Sequence, residues 1–135
     1  MTSVKLDEDE GTKAGDDVRF LGYGLLDSTY AKATKLHEVN LKLAEFDTCA
    51  KNWAQVPETL HPWQVCAGTR RQNACPGDSG APLIKVGKNS NPNILVGINS
   101  FNAMCGRSDL PGVFTKVAYY KDFIRDTVLS REMVN

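Results

Sequence analysis

The spacing of the apolar residues changes once along this chain, and that change constrains the fold more than any other feature. Up to Val117 the apolar residues come in short runs separated by Gly, Asn, Asp and Pro. Leu36 to Leu43 alternates strictly, with Val39, Leu41 and Leu43 on one face and Glu38, Asn40 and Lys42 on the other. That is the signature of a half-buried strand. Strands are also expected at Asp17–Gly24, Trp63–Ala67, Leu83–Val86, Ile94–Ser100 and Val113–Val117. Residues 68–80 and Gly87–Pro92 read as loop and turn. From Tyr120 onward the spacing becomes helical, with Phe123, Ile124, Thr127 and Val128 on one stripe. A short helix is expected at Phe46–Trp53, beginning near Asp47, and residues 1–17 read as charged loop. Short strands followed by one terminal helix predict an all-β antiparallel barrel or sandwich with a C-terminal α-helix.

Composition narrows the function classes. A chain of 135 residues with 41% hydrophobic content is large enough for one core. Lys+Arg and Asp+Glu both total 16, so no electrostatic argument favours nucleic acid or an anionic membrane as partner. No apolar run reaches the roughly 18 residues that a membrane-crossing helix needs. The acidic start, with Asp7-Glu8-Asp9-Glu10, has neither the basic residues nor the apolar stretch of an export signal.

Four cysteines, Cys49, Cys66, Cys75 and Cys105, point to disulfides and an oxidising compartment, with three pairings open. A zinc site would need close-set pairs such as Cys-x-x-Cys, which are absent, and no cofactor is expected.

The segment Cys75-Pro-Gly-Asp-Ser-Gly-Ala-Pro82 carries the chemistry. Glycines flank an acid and a serine, so the backbone can turn tightly and approach a ligand. Two N–H groups in such a turn can converge on a developing oxyanion.

In context this segment resembles the nucleophile motif of the chymotrypsin/trypsin serine protease family, usually GDSGGP and here GDSGAP. Gly97-Ile-Asn-Ser-Phe-Asn-Ala-Met-Cys105 resembles the family strand that lines the substrate pocket. Pro111-Gly-Val-Phe-Thr-Lys-Val117 resembles the family's PGVYTKV, and Val65-Cys-Ala-Gly68 its ICAG. Gly22-Tyr-Gly24 sits where the family has Gly-Trp-Gly, and Lys121-Asp-Phe-Ile124 where its last helix carries a Trp-Ile pair. The resemblance runs from about Val4 to Val128 and implies the C-terminal, six-stranded barrel of a double-barrel fold. Residues 1–17 would then be the inter-barrel connector, 18–130 the barrel with its helix, and 131–135 a tail.

Roles follow from the resemblance position by position. Ser79 matches the nucleophile, and the N–H groups of Gly77 and Ser79 match the oxyanion hole. Asp78 matches the acid that orders the loop by pairing with a freed N-terminal ammonium. Asn73 matches the floor of the specificity pocket. Ser100, Phe101 and Asn102 match one wall, and Gly112 the other. The implied disulfides are Cys49–Cys66 and Cys75–Cys105, each contributing about 3–4 kcal/mol in the chain-entropy model. Positions that often carry a third bridge are held by Val18 and Lys85. A neutral Asn73 gives a bound Lys or Arg no counter-charge, so no basic-residue preference is expected. Asn102, at a position often held by glycine, is expected to narrow the entrance.

A serine hydroxyl needs a base. The family's histidine and aspartate come from the other barrel, which this chain is not expected to contain. His37 and His61 match neither, and each is expected to be a surface or packing residue. With no ammonium for Asp78, the loop is expected to relax toward a precursor-like or exposed state. An apolar face near Phe101 and the Ser79 loop is expected to lie open. The resemblance thus implies a serine endopeptidase acting on peptide or protein substrates, inactive without a complementing N-terminal barrel. The alternative is a non-catalytic homologue that binds or inhibits a protein target. Family members are usually secreted, which agrees with the cysteines.

Overall fold

The computed structural model describes residues 3–8, 12–24, 33–69, 78–103 and 109–134, with side chains through 131. Seven strands form in the order β1 (Lys5–Leu6), β2 (Asp17–Gly22), β3 (His37–Leu43), β4 (Gln64–Gly68), β5 (Pro82–Lys85), β6 (Ile94–Phe101) and β7 (Gly112–Lys116). Helix α1 (Phe46–Ala54) lies between β3 and β4, and a 3-10 turn (Val117–Tyr120) leads into helix α2 (Lys121–Val134).

Strands β2 to β7 form a closed, antiparallel, six-stranded barrel in which β2 pairs β3, β3 pairs β4, β4 pairs β7, β7 pairs β6, β6 pairs β5, and β5 returns to β2. The closure leaves no free edge among these strands, which is how small antiparallel sheets avoid pairing with other chains. The expected barrel is therefore the observed one, and the sandwich is not.

Why these residues make a barrel is visible in the pleat. Register pairs Phe20 with Val39 and Val18 with Leu41, so the alternating apolar sides of β2 and β3 point the same way. Each barrel strand sends residues into one cluster: Val18 and Phe20, Leu41 and Leu43, Ala67, Leu83, Val96, and Phe114. Phe20 and Phe114 meet edge to face at 5.6 Å, an arrangement that aromatic quadrupoles favour.

A second cluster lies outside the barrel wall. There Cys49 and Trp53 of α1 pack with Leu60, Cys66, Leu110 and Val113. The expected bridge Cys49–Cys66 ties α1 to β4, and Trp53 donates its indole N–H to the Pro111 carbonyl at 3.0 Å. Cys75 and Cys105 lie outside the described residues.

Three readings change. The lead-in is not all loop, because Lys5 and Leu6 add a short parallel strand to β6 opposite Ile94 and Leu95. The helical stripe at the end is split: Tyr120 and Ile124 are half-buried, while Phe123 is 67% and Val128 52% exposed. Periodicity reports which residues share a face, and says nothing of whether a partner covers that face. Strand ends also move by one or two residues, where pairing rather than composition sets the limit.

Candidate active site

The segment Asp78–Ala81 makes a four-residue turn. The Ala81 N–H donates to the Asp78 carbonyl at 2.9 Å, and Gly80 has φ of +85°. A bonded turn with positive φ at its third residue is type II, and glycine occupies that residue without steric cost. Ser79 stands at the second residue, exposed at the tip.

Three anchors hold the turn. Gly80 N–H donates to the Asn99 carbonyl at 2.8 Å, and Asn99 N–H donates to the Ala81 carbonyl at 2.9 Å. Both bonds fix the turn to β6. The third anchor is Asp78, only 7% exposed, whose Oδ1 accepts the Gly24 N–H at 2.7 Å. A side chain at Gly22 or Gly24 would collide with this carboxylate. The two glycines around Tyr23 are thus explained by the close approach of Asp78 to the backbone. The loop acid is buried and hydrogen-bonded, so of the two arrangements expected, precursor-like or exposed, the exposed one is not what forms at Asp78; the rest of the loop, with Gly77, lies outside the described residues.

Along β6 the pairing with β7 slips by one residue between Asn99 and Phe101. Ser100 is the extra residue, exposed and unmatched in register, as in a β-bulge. Phe101 is half-buried and meets Trp53 edge to face at 5.1 Å. Trp53 covers part of the Phe101 ring, while Ser79 and Gly80 remain exposed. Asn102 is half-buried and Gly112 buried, and a Cβ added to Gly112 would come within 2.8 Å of the Asn102 Oδ1. Asn102 and Gly112, both expected to line the pocket, are brought together. Asn73 and Gly77 lie outside the described residues.

One residue of this site was missed in the sequence. Asn99 is 3% exposed in the middle of the apolar run of β6. Its amide and that of Asn102 donate to each other, both at 2.9 Å. The available signal was an asparagine in a strand otherwise rich in Ile, Leu and Val, where its propensity is low and a buried amide needs a partner.

The histidines are placed elsewhere. His61 stacks face to face on Trp63 with ring centroids 4.4 Å apart, and His37 is exposed at the start of β3 opposite Gly22.

Comparison with known proteins places the chain. The Trypsin family model matches residues 1–124. The solved structure of neuropsin, a serine protease expressed in the limbic system of mouse brain, superposes with a TM-score of 0.81 at 28% identity, covering 95% of this chain and 54% of that one. Phenoloxidase-activating enzyme 1 of Spodoptera litura is 38% identical over 117 residues, 86% of this chain and 30% of that protein. Transmembrane protease serine 11G of Mus musculus is 35% identical over 107 residues, 77% of this chain and 25% of that protein. Trypsin eta of Drosophila melanogaster is 32% identical over 119 residues, 85% of this chain and 42% of that protein. The chain belongs to the trypsin-like serine protease family, whose members act on peptide or protein substrates. It spans less than half the length of each of these three curated relatives.

Proposed function

We propose that this chain carries the nucleophile half of a serine endopeptidase, with Ser79 as the acyl-accepting residue. The observation that carries the reading is the exposed Ser79 on a turn held by buried Asp78 before it and by two backbone bonds to Asn99 after it. In this reading the Ser79 hydroxyl attacks a peptide carbonyl, the oxyanion rests on the N–H groups of Gly77 and Ser79, and water then releases the acyl group. The base is a histidine of a complementing N-terminal barrel, since His61 is stacked on Trp63 and His37 sits on the exposed end of β3. The chain alone is then a poor hydrolase, because triad-less enzymes retain only about 10³–10⁴-fold over water. The Cys49–Cys66 bridge suits an oxidising, extracellular setting.

The test uses the chain with p-nitrophenyl acetate. Intact-mass analysis is expected to show slow acetylation of Ser79, faster when imidazole is added as a base, and none at that position in Ser79→Ala. Acetylation spread evenly over the other serines, with no response to imidazole, would sink the reading.

The contact between Asn99 and Asn102 beside Gly112 favours a second reading, a homologue that binds a protein target without cutting it. It predicts undiminished target binding by Ser79→Ala and no acyl adduct in the parent chain.

A further inference from the structure

We propose that Asn99 and Asn102 form the specificity element of the cleft beside Ser79, selecting a peptide side chain that ends in a primary carboxamide. The inference rests on the reading of the Asp78–Ala81 turn as the edge of a peptide-binding cleft.

Asn99 is positioned by the turn itself. Its carbonyl accepts from Gly80 and its N–H donates to Ala81, the two residues that follow Ser79. Its side chain is held by the barrel at 3% exposure. An amide so deeply placed must have its donor and acceptor met, and the Asn102 amide meets both, with Nδ2 donating to Oδ1 in each direction at 2.9 Å. Asn102 in turn covers Gly112, where a Cβ would be 2.8 Å from its Oδ1. The two amides therefore form a self-complementary pair, made of one residue on each side of the β6 bulge.

In the proposed cleft, an entering side chain takes the place of the Asn102 amide. An apolar side chain leaves the buried Asn99 amide with neither bond, the costly outcome for a buried polar group. A lysine or arginine donates but cannot accept, and brings a charge against two neutral amides. The carboxamide of glutamine or asparagine offers one donor and one acceptor in a plane, so it restores both bonds while Asn102 swings out to water. A site of this kind rejects an analogue that lacks the hydrogen-bonding group far more strongly than a hydrophobic pocket rejects a missing methylene.

The measurement is made on the full chain with Ser79→Ala, which removes acylation and leaves the cleft. Acetylated tripeptides Ala-Ala-Gln and Ala-Ala-Met, matched in length, are titrated into nitrogen-15-labelled protein. The glutamine peptide is expected to bind at least about tenfold more tightly and to shift the side-chain amide signals of Asn99 and Asn102. Asn99→Val is expected to abolish the preference. Asn102→Gly removes the partner of the buried Asn99 amide, and by removing the internal competitor the folded variant is expected to bind the glutamine peptide about tenfold more tightly. Affinities for the two peptides within about twofold, no binding of either at about 10 mM, or no tightening in Asn102→Gly would overturn the proposal. A retained glutamine preference with no Ser79 acetylation in the parent chain would sink the catalytic reading and leave this one standing.

Discussion

The backbone N–H of Gly24 donates to the carboxylate of Asp78 at 2.7 Å, across 54 residues of sequence. This bond links the end of β2 to the turn that presents Ser79. It also explains the glycine pair around Tyr23, because the carboxylate occupies the space a side chain would need. Gly24→Ala is expected to push Asp78 out of its seat and cost about 1–3 kcal/mol, the usual range for overpacking. Urea denaturation reads the loss. Ser79 acetylation in the folded variant is expected to fall with it, and an unchanged rate would show that the anchor does not matter to Ser79.

The bridge between Cys49 and Cys66 closes a separation of 17 residues. Replacing both cysteines with alanine is expected to lower stability by about 3 kcal/mol, as chain entropy predicts for a loop of that size. The unfolding midpoint with and without reductant checks it, and the double variant is expected to lose this share of the reductant sensitivity.

Lys85 stands at a position where the family often has a cysteine, and its ammonium reaches the Asp16 carboxylate at 2.9 Å. The hydrogen bond from Lys85 holds the Asp16 carboxyl below its ordinary 3.8, against the opposing effect of burial. A depressed carboxyl stabilises the fold above its unfolded pKa, and the contribution is lost as pH falls through the folded value. The stability of the parent chain is therefore expected to drop further than that of Lys85→Met as pH is lowered from about 5 to 3. Partial exposure and solvent screening keep the difference under about 1 kcal/mol. Parallel pH titrations of both proteins check it, and equal losses of stability in the two would show the idea to be wrong.

Phe114 is fully buried and meets Phe20 across the barrel. Phe114→Ala is expected to cost about 3–5 kcal/mol, as for other large cavities opened in a core. Because Phe114 pairs in register with Asn99, the variant is also expected to speed proton exchange at the Asn99 side-chain amide. Thermal unfolding and amide exchange rates measure the two effects separately.

Much of the barrel was legible in the residue order. The alternation of Val39, Leu41 and Leu43 placed β3 correctly because a half-buried strand repeats every two residues. The Gly-Asp-Ser-Gly segment announced a tight turn because glycine takes the positive φ found at Gly80 without steric cost. The short strand at Lys5–Leu6 was not legible, since two exposed residues carry no period and are defined only by the backbone they meet at Ile94 and Leu95. Nor was the exposure of α2, whose stripe of Phe123 and Val128 looks the same in sequence whether or not something covers it.

By itself the sequence determined the six barrel strands, the turn bearing Ser79, and the apolar side of the alternating strand β3, because each depends on residues close together in the chain. Only the tertiary structure decided that Asp78 is buried against Gly24, that Phe101 is partly covered by Trp53, and that Asn99 and Asn102 hold each other beside Gly112. The Asp78 and Phe101 contacts join segments from different strands and loops, while the amide pair spans a one-residue slip in register. No local preference encodes such meetings, which arise when the six strands close and leave each buried polar group to find its partner.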